Sequence, residues 1–134
     1  MIMLFDRFNL PDDIYKVIFP TERQQIVAKL LIARMQRNEG IMGKTEMSLF
    51  ATKLHDGQLM DDREEAKSPL KKEPPKLSYN KRQFYDRILT PMKSMGMIEY
   101  DLYQKIYKVS DKFNKAMIKI GLLWLRELRK GGIS

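Results

Sequence analysis

The sequence contains no cysteine. That absence excludes a disulfide framework, a thiol nucleophile and any cysteine-ligated zinc or iron-sulfur site. A single histidine, His55, removes most of the remaining options for metal ligation and acid-base chemistry. The longest apolar stretches, Met1 to Phe5 and Ile118 to Leu125, fall far short of the roughly 20 residues of a membrane-spanning helix. No small-residue cleavage site follows the N-terminus, so the sequence predicts a soluble, cytoplasmic protein with no membrane partner.

What is present suffices for one domain. The chain has 134 residues, 43% of them hydrophobic and 10% aromatic, enough for an ordinary core despite a charged fraction of 31%. Its formal charge of +8 is unevenly placed. Residues 1–65 carry 9 basic and 11 acidic side chains, net −2, whereas residues 66–134 carry 16 and 6, net +10. The second half therefore attracts a polyanion, nucleic acid or anionic lipid, or else forms a generally basic solvated surface.

Thr21 with Gln24 three residues on, followed by Ile26, Val27, Leu30, Leu31 and Met35, predicts a helix over 21–38. Thr45 opens a second over 45–55, with Met47, Phe50, Ala51 and Leu54 as its stripe and Gly57 at its C-terminal cap. Between them Gly40 to Gly43 is long enough only for a turn or a very short strand. The segment 56–77 holds three of the six prolines, an acidic cluster (Asp61, Asp62, Glu64, Glu65) and a basic one (Lys67, Lys71, Lys72, Lys76). It reads as a flexible insertion with a turn of helix at 60–67.

Ser78 starts a third helix whose buried face is Phe84, Ile88, Met92 and Met95, with Pro91 kinking or breaking it near Leu89. The period then changes. Met97 to Tyr100 and Lys105 to Val109 are strand-like, and Asp101 to Gln104 is the length of a hairpin connection, although no glycine marks the turn. Ser110 or Asp111 caps a last helix running to Leu128 and stopping at Lys130-Gly131-Gly132. On a wheel of about 100° per residue, Phe113, Ala116, Met117, Ile120, Trp124 and Leu128 share one sector, and Ile118, Leu122 and Leu125 make a second. A helix apolar over most of its circumference needs covering on two sides, by a partner or by the N-terminal Met1 to Leu10.

This order resembles a winged helix-turn-helix domain over about residues 21–110. The resemblance lies in GKTEMSLFATKL, in NKRQFYDRILTPMKSMG and in GMIEYDLYQKIYKVSD. The last is similar to the passage from recognition helix to wing in small bacterial, archaeal and archaeal-virus regulators. The fold it implies is mainly α with a small β-hairpin (α+β). The helix with FNKAMIKIGLLWLREL is similar in position to the dimerisation helix of several such families. Residues 1–20 form an N-terminal segment packing on the domain or dimer, 21–110 the DNA-binding domain, and 111–134 the dimerisation helix.

Opposite the apolar face, the third helix carries Tyr79, Arg82, Gln83, Asp86, Thr90 and Lys93, flanked by Asn80, Lys81 and Arg87. Arginine pairs with guanine and glutamine with adenine, so such a face in the major groove discriminates sequence. The resemblance implies that placement, with the N-terminal half deepest. The alternative is a solvated polar face. Tyr103, Gln104 and Lys105, with Lys108, sit where a wing touches the minor groove or backbone. The tether lysines add phosphate contacts or are merely solvated.

Three other features carry no chemistry. Gly43-Lys44-Thr45 lacks the leading glycine of a phosphate-binding loop, since position 38 is asparagine, and a helix is expected before it instead of a strand. His55 has no second imidazole and reads as a surface or cap residue, and the acidic cluster at 61–65 lies where rigid placement is absent. The expectation is therefore a non-enzymatic homodimer with no cofactor, metal or identifiable small-molecule ligand. Its partners are double-stranded DNA and, through Phe113, Met117, Ile120, Trp124 and Leu128, itself. A protein-interaction or assembly adaptor on the same fold is the rival. RNA binding is weaker, because no repeated aromatic platform is present.

Overall fold

The computed structural model describes residues 6–60 and 76–131. The described chain is mostly helical with a small antiparallel sheet, an α+β architecture. A short helix α1 (Ile14–Ile18) leads into α2 (Glu22–Gln36), where Thr21 Oγ1 accepts the Gln24 N–H at 3.2 Å, the cap that the sequence indicates. Strand β1 (Ile41–Gly43) and helix α3 (Lys44–His55) follow directly.

One core joins the helices. Val27, Ala28, Leu31 and Met35 of α2 meet Met47, Phe50, Ala51 and Leu54 of α3, all buried. Against them lies α4, residues 81–95, contributing Phe84, Ile88, Leu89 and Met92. The Phe50 and Phe84 rings are 5.5 Å apart and tilted by 52°. Burying each side chain of this size contributes about 1.5–3 kcal/mol.

Helix α4 differs from expectation in its start, its middle and its phase. Asn80, not Ser78, caps it, its Oδ1 accepting the Gln83 N–H at 3.1 Å. An α-helical turn over Lys81–Phe84 passes into a π-helical turn over Tyr85–Leu89 and returns to α-helix over Thr90–Met95. Pro91 has no N–H, and its ring would strike the carbonyl four residues back. The chain relieves this by widening one turn, with Thr90 N–H bonded to the Tyr85 carbonyl, so the helix neither breaks nor ends. The extra residue advances the phase and brings Leu89 into the core, while Met95 is only half-buried.

The sheet has the order β1, β5, β4, all antiparallel, with β4 (Ile98–Asp101) and β5 (Ile106–Val109) forming the hairpin. Of the two expectations for 40–43, the very short strand is the one present: Met42 pairs with Tyr107 and fixes the hairpin beside α3. The hairpin closes without glycine. Asp101 Oδ1 accepts from Tyr103 N at 2.9 Å and Gln104 N at 3.0 Å, and Lys105 takes a left-handed φ of 56°.

The insertion is narrower than 56–77. Two short strands, β2 (Leu59–Met60) and β3 (Lys76–Leu77), pair antiparallel, with Leu59 opposite Leu77 and both buried. This ribbon brings the ends of the insertion together, so α3 and α4 remain neighbours. The expected turn of helix at 60–67, the acidic cluster at 61–65, Lys67, Lys71 and Lys72, and Met1 to Phe5 lie outside the described residues, as does the side chain of Lys76.

Gly96, with a φ of +87°, ends α4. A Cβ there would meet Phe113 N at 2.9 Å, and the Gly96 carbonyl accepts the Phe113 N–H at 3.1 Å. The start of α5 (Lys112–Lys130) is thus seated on the end of α4. Ser110 Oγ, not the Asp111 side chain, accepts the Lys112 N–H at 3.2 Å. Every residue of α5 from Met117 onward is exposed. Phe8 and Leu10 are exposed as well, so the described part of the N-terminal segment does not cover it. Instead Phe19 is buried in the core, and Tyr15 and Ile18 pack against it.

Candidate nucleic-acid interface

Helix α4 is held at its N-terminus by α3. His55 Nδ1 accepts the Lys81 backbone N–H at 3.1 Å, and Lys81 Nζ donates to Thr52 Oγ1 at 3.0 Å. The Tyr79 N–H bonds to the Leu54 carbonyl at 3.0 Å. The first of these bonds satisfies a donor that a helix start leaves open, and all three couple the two helices directly. His55 is accordingly a cap, one of the two roles its isolation suggested.

Two residues leave the expected reading face. Tyr79 precedes the helix and is buried at 7% exposure, its ring packed in the core, so it reads no base. Lys81 is half-buried with its ammonium on Thr52, so it joins α4 to α3 instead of flanking the face. The others stand in solvent: Arg82, Gln83, Asp86, Arg87, Thr90 and Lys93 are all exposed, as is the capping Asn80. Arg82 Nε lies 3.7 Å from Asp86 Oδ2 one turn on, an exposed ion pair along the helix. The Lys93 ammonium sits 5.9 Å from the Tyr100 ring centre and 6.0 Å from that of Tyr107, which leans it against the hairpin.

The hairpin is built from the cross-strand pairs Ile98 with Val109 and Tyr100 with Tyr107, the latter with ring centres 4.6 Å apart. Burial raises the Tyr107 phenol above its usual value, with the neighbouring Tyr85 and Tyr100 adding to it. Tyr103 belongs to no such pair. It is 98% exposed at the tip beside exposed Gln104 and Lys105, and Lys108 is partly exposed 4.0 Å from Asp101 Oδ2. The turn end of the hairpin is pinned to the head of α3 by Lys44 N–H bonded to the Lys105 carbonyl at 3.0 Å.

Behind the hairpin Glu99 pairs with Lys112 at the start of α5. The lysine's hydrogen bond and charge hold the Glu99 carboxyl below the usual carboxylate range and raise Lys112 above its own. Farther along α5, Met117, Ile120, Trp124 and Leu128 are exposed, Trp124 by 63%, while Phe113 is half-buried near Gly96.

No group of three His, Asp or Glu side chains among the described residues could hold a metal ion. No described helix is long and apolar enough to cross a membrane. Gly43 is the last residue of a strand, β1, where a helix was expected to precede it, but α3 begins at the next residue and leaves no loop to cradle a phosphate.

Sequence reasoning missed Thr52, whose hydroxyl receives Lys81, and Leu102, which stands 75% exposed at the hairpin tip. The available signal for Leu102 was a large apolar residue inside the expected hairpin connection, where polar turn residues are usual. The comparisons give no relative to reason from: no protein-family model, curated protein or solved structure matches the chain.

Proposed function

We propose that this protein is a homodimeric winged helix-turn-helix regulator that binds double-stranded DNA in a sequence-specific manner. In this reading α4 enters the major groove, the β4–β5 hairpin is the wing, and α5 joins two protomers. The observation that carries it is the exposed row Arg82, Gln83, Asp86, Arg87, Thr90 and Lys93 on a helix whose opposite side is the core. These side chains offer donors and acceptors that match base edges, and Arg82 has the Asp86 carboxylate 3.7 Å away as a neighbour on the same face.

Three further features support it. The element order from α2 to β5, with β1 pairing the second hairpin strand, suits a winged helix. The ribbon of Leu59 and Leu77 lets α3 and α4 act as neighbours across the insertion. The net charge of +10 beyond residue 65 draws a polyanion to the half that holds α4 and the hairpin. In a symmetric dimer, two copies of α4 address an inverted repeat with half-sites about one helical turn apart.

Selection of the purified protein on random-sequence duplex DNA at two salt concentrations tests the proposal. An enriched inverted repeat with a steep salt dependence is the expected result. Binding without enrichment would remove sequence specificity from the reading, and no binding at either salt would transfer the fold to a protein-interaction adaptor.

A further inference from the structure

Loop tips are normally polar, because turn residues face water on all sides. The tip of the β4–β5 hairpin breaks that rule twice in succession. Leu102 is 75% exposed and Tyr103 98% exposed, and Gln104 and Lys105 follow them, also exposed. The display is held by the turn itself. Asp101 Oδ1 receives the N–H groups of Tyr103 and Gln104, the Lys105 N–H bonds to the Asp101 carbonyl at 2.7 Å, and the Lys105 carbonyl is tied to Lys44 at the head of α3. A tip so braced keeps its two apolar side chains out in water.

We propose that Leu102 and Tyr103 form a wedge that enters the DNA minor groove and unstacks a base step, with Gln104 and Lys105 contacting the flanking bases and phosphates. The inference rests on the DNA-binding reading above. Apolar side chains projecting beside amide and basic groups are the equipment of minor-groove proteins that kink DNA. The dimensions require opening of the groove: two paired strands lie about 4.8 Å apart before side chains are counted, and the minor groove of B-DNA is about 6 Å wide. Lys105, exposed at the tip itself, favours a polyanion over an apolar protein pocket as the receiver, whereas Lys108 lies farther back, 4.0 Å from Asp101 Oδ2.

Unstacking has a cost that a defective step lowers in advance, so the wedge is read by comparing two pools of random-sequence duplexes, one fully paired and one with a central tandem mismatch. The wild-type protein should bind the mismatched pool about tenfold more tightly, and thymines in its bound paired duplexes should become reactive to permanganate. The double variant Leu102→Ser, Tyr103→Ser should lose both signatures, binding the paired and mismatched pools equally. Its circular dichroism should match wild type, since both side chains lie outside the core. Equal binding of the two pools by the wild type without permanganate reactivity overturns the wedge and leaves DNA binding standing. A double variant that keeps the mismatch preference overturns it too, and failure of either pool to bind overturns the wedge together with the reading beneath it.

Discussion

His55 Nδ1 receives the backbone N–H of Lys81 across 26 positions of sequence, so the end of α3 caps the beginning of α4. The bond spans the insertion and sets how far apart the two helices begin. Replacing His55 by Ala leaves a helix-start donor without its acceptor, a loss of about 1 kcal/mol. The urea midpoint should fall with an unchanged slope. A midpoint equal to wild type would show that the cap contributes nothing.

Arg82 and Asp86 act as a pair on the exposed face of α4. Arg82→Ala should weaken binding to the selected DNA by about 1–3 kcal/mol and relax the preference at one base position. Lys105→Ala, at the wing, should instead weaken binding evenly across sequences and reduce the salt slope by about one. Competition between selected and scrambled duplexes at several salt concentrations separates the two effects. Identical behaviour of the two variants would refute the assignment of reading to α4 and backbone contact to the wing.

Gly96 carries the join between α4 and α5. Its left-handed φ disfavours any side chain, and a Cβ would sit 2.9 Å from Phe113 N and 3.0 Å from the Lys112 carbonyl carbon, both backbone atoms that cannot rotate away. Gly96→Ala should therefore cost about 2 kcal/mol or more, well above the usual surface substitution. Thermal unfolding checks this. An unchanged melting temperature would mean that α5 can reseat freely.

The helices and hairpin were legible because their signals are local. Thr21, Phe50, Leu54, Ile88 and Tyr107 take the places that their spacing assigns. What the sequence hid depends on pairings between distant segments. Met42 gains its strand from Tyr107, and Leu59 finds Leu77 across the insertion; no periodicity within a three-residue run announces such a partner. Pro91 disturbs the helix as its chemistry requires, but the outcome is a widened turn rather than a break, and that shift accompanies the burial of Leu89. Tyr79 lies off the reading face because the helix starts two residues later than a Ser78 cap implies, so helical spacing does not extend to it.

Glu99 and Lys112 join the hairpin to α5 by an ion pair whose partners shift one another. Because the Glu99 value is depressed in the folded state, its contribution is present above the ordinary 4.5 and disappears as pH falls through the lower folded value. Lys112, raised above 10.5, contributes below that pH and loses its part as pH climbs through the raised value. The pair is solvent-exposed, so salt should weaken it. Titration of the Glu99 carboxyl carbon by NMR should give a value that returns toward 4.5 in Lys112→Ala. No change in that variant would remove Lys112 as the cause.

Trp124 is 63% exposed on a helix whose outer three turns touch nothing else among the described residues that would bury them. Met117, Ile120, Trp124 and Leu128 share the main sector, Ile118, Leu122 and Leu125 make a second beside it, and all seven are exposed. An apolar surface of that extent on a single helix is of the order of the 800 Å² per partner of a standard interface. A second copy satisfies it symmetrically, with the same strip on both sides and the basic residues Lys115, Lys119 and Arg126 left facing water. Trp124→Glu puts a charge in the middle of that strip. Since the side chain contributes nothing to the core of one protomer, the variant should keep its helical circular dichroism and elute at half the wild-type molar mass by light scattering. It should also bind a single half-site but lose the preference for the inverted repeat. A wild-type protein that is monomeric at micromolar concentration, or a variant of undiminished mass, would take the dimer out of the proposal and leave the reading helix and wing to be judged alone.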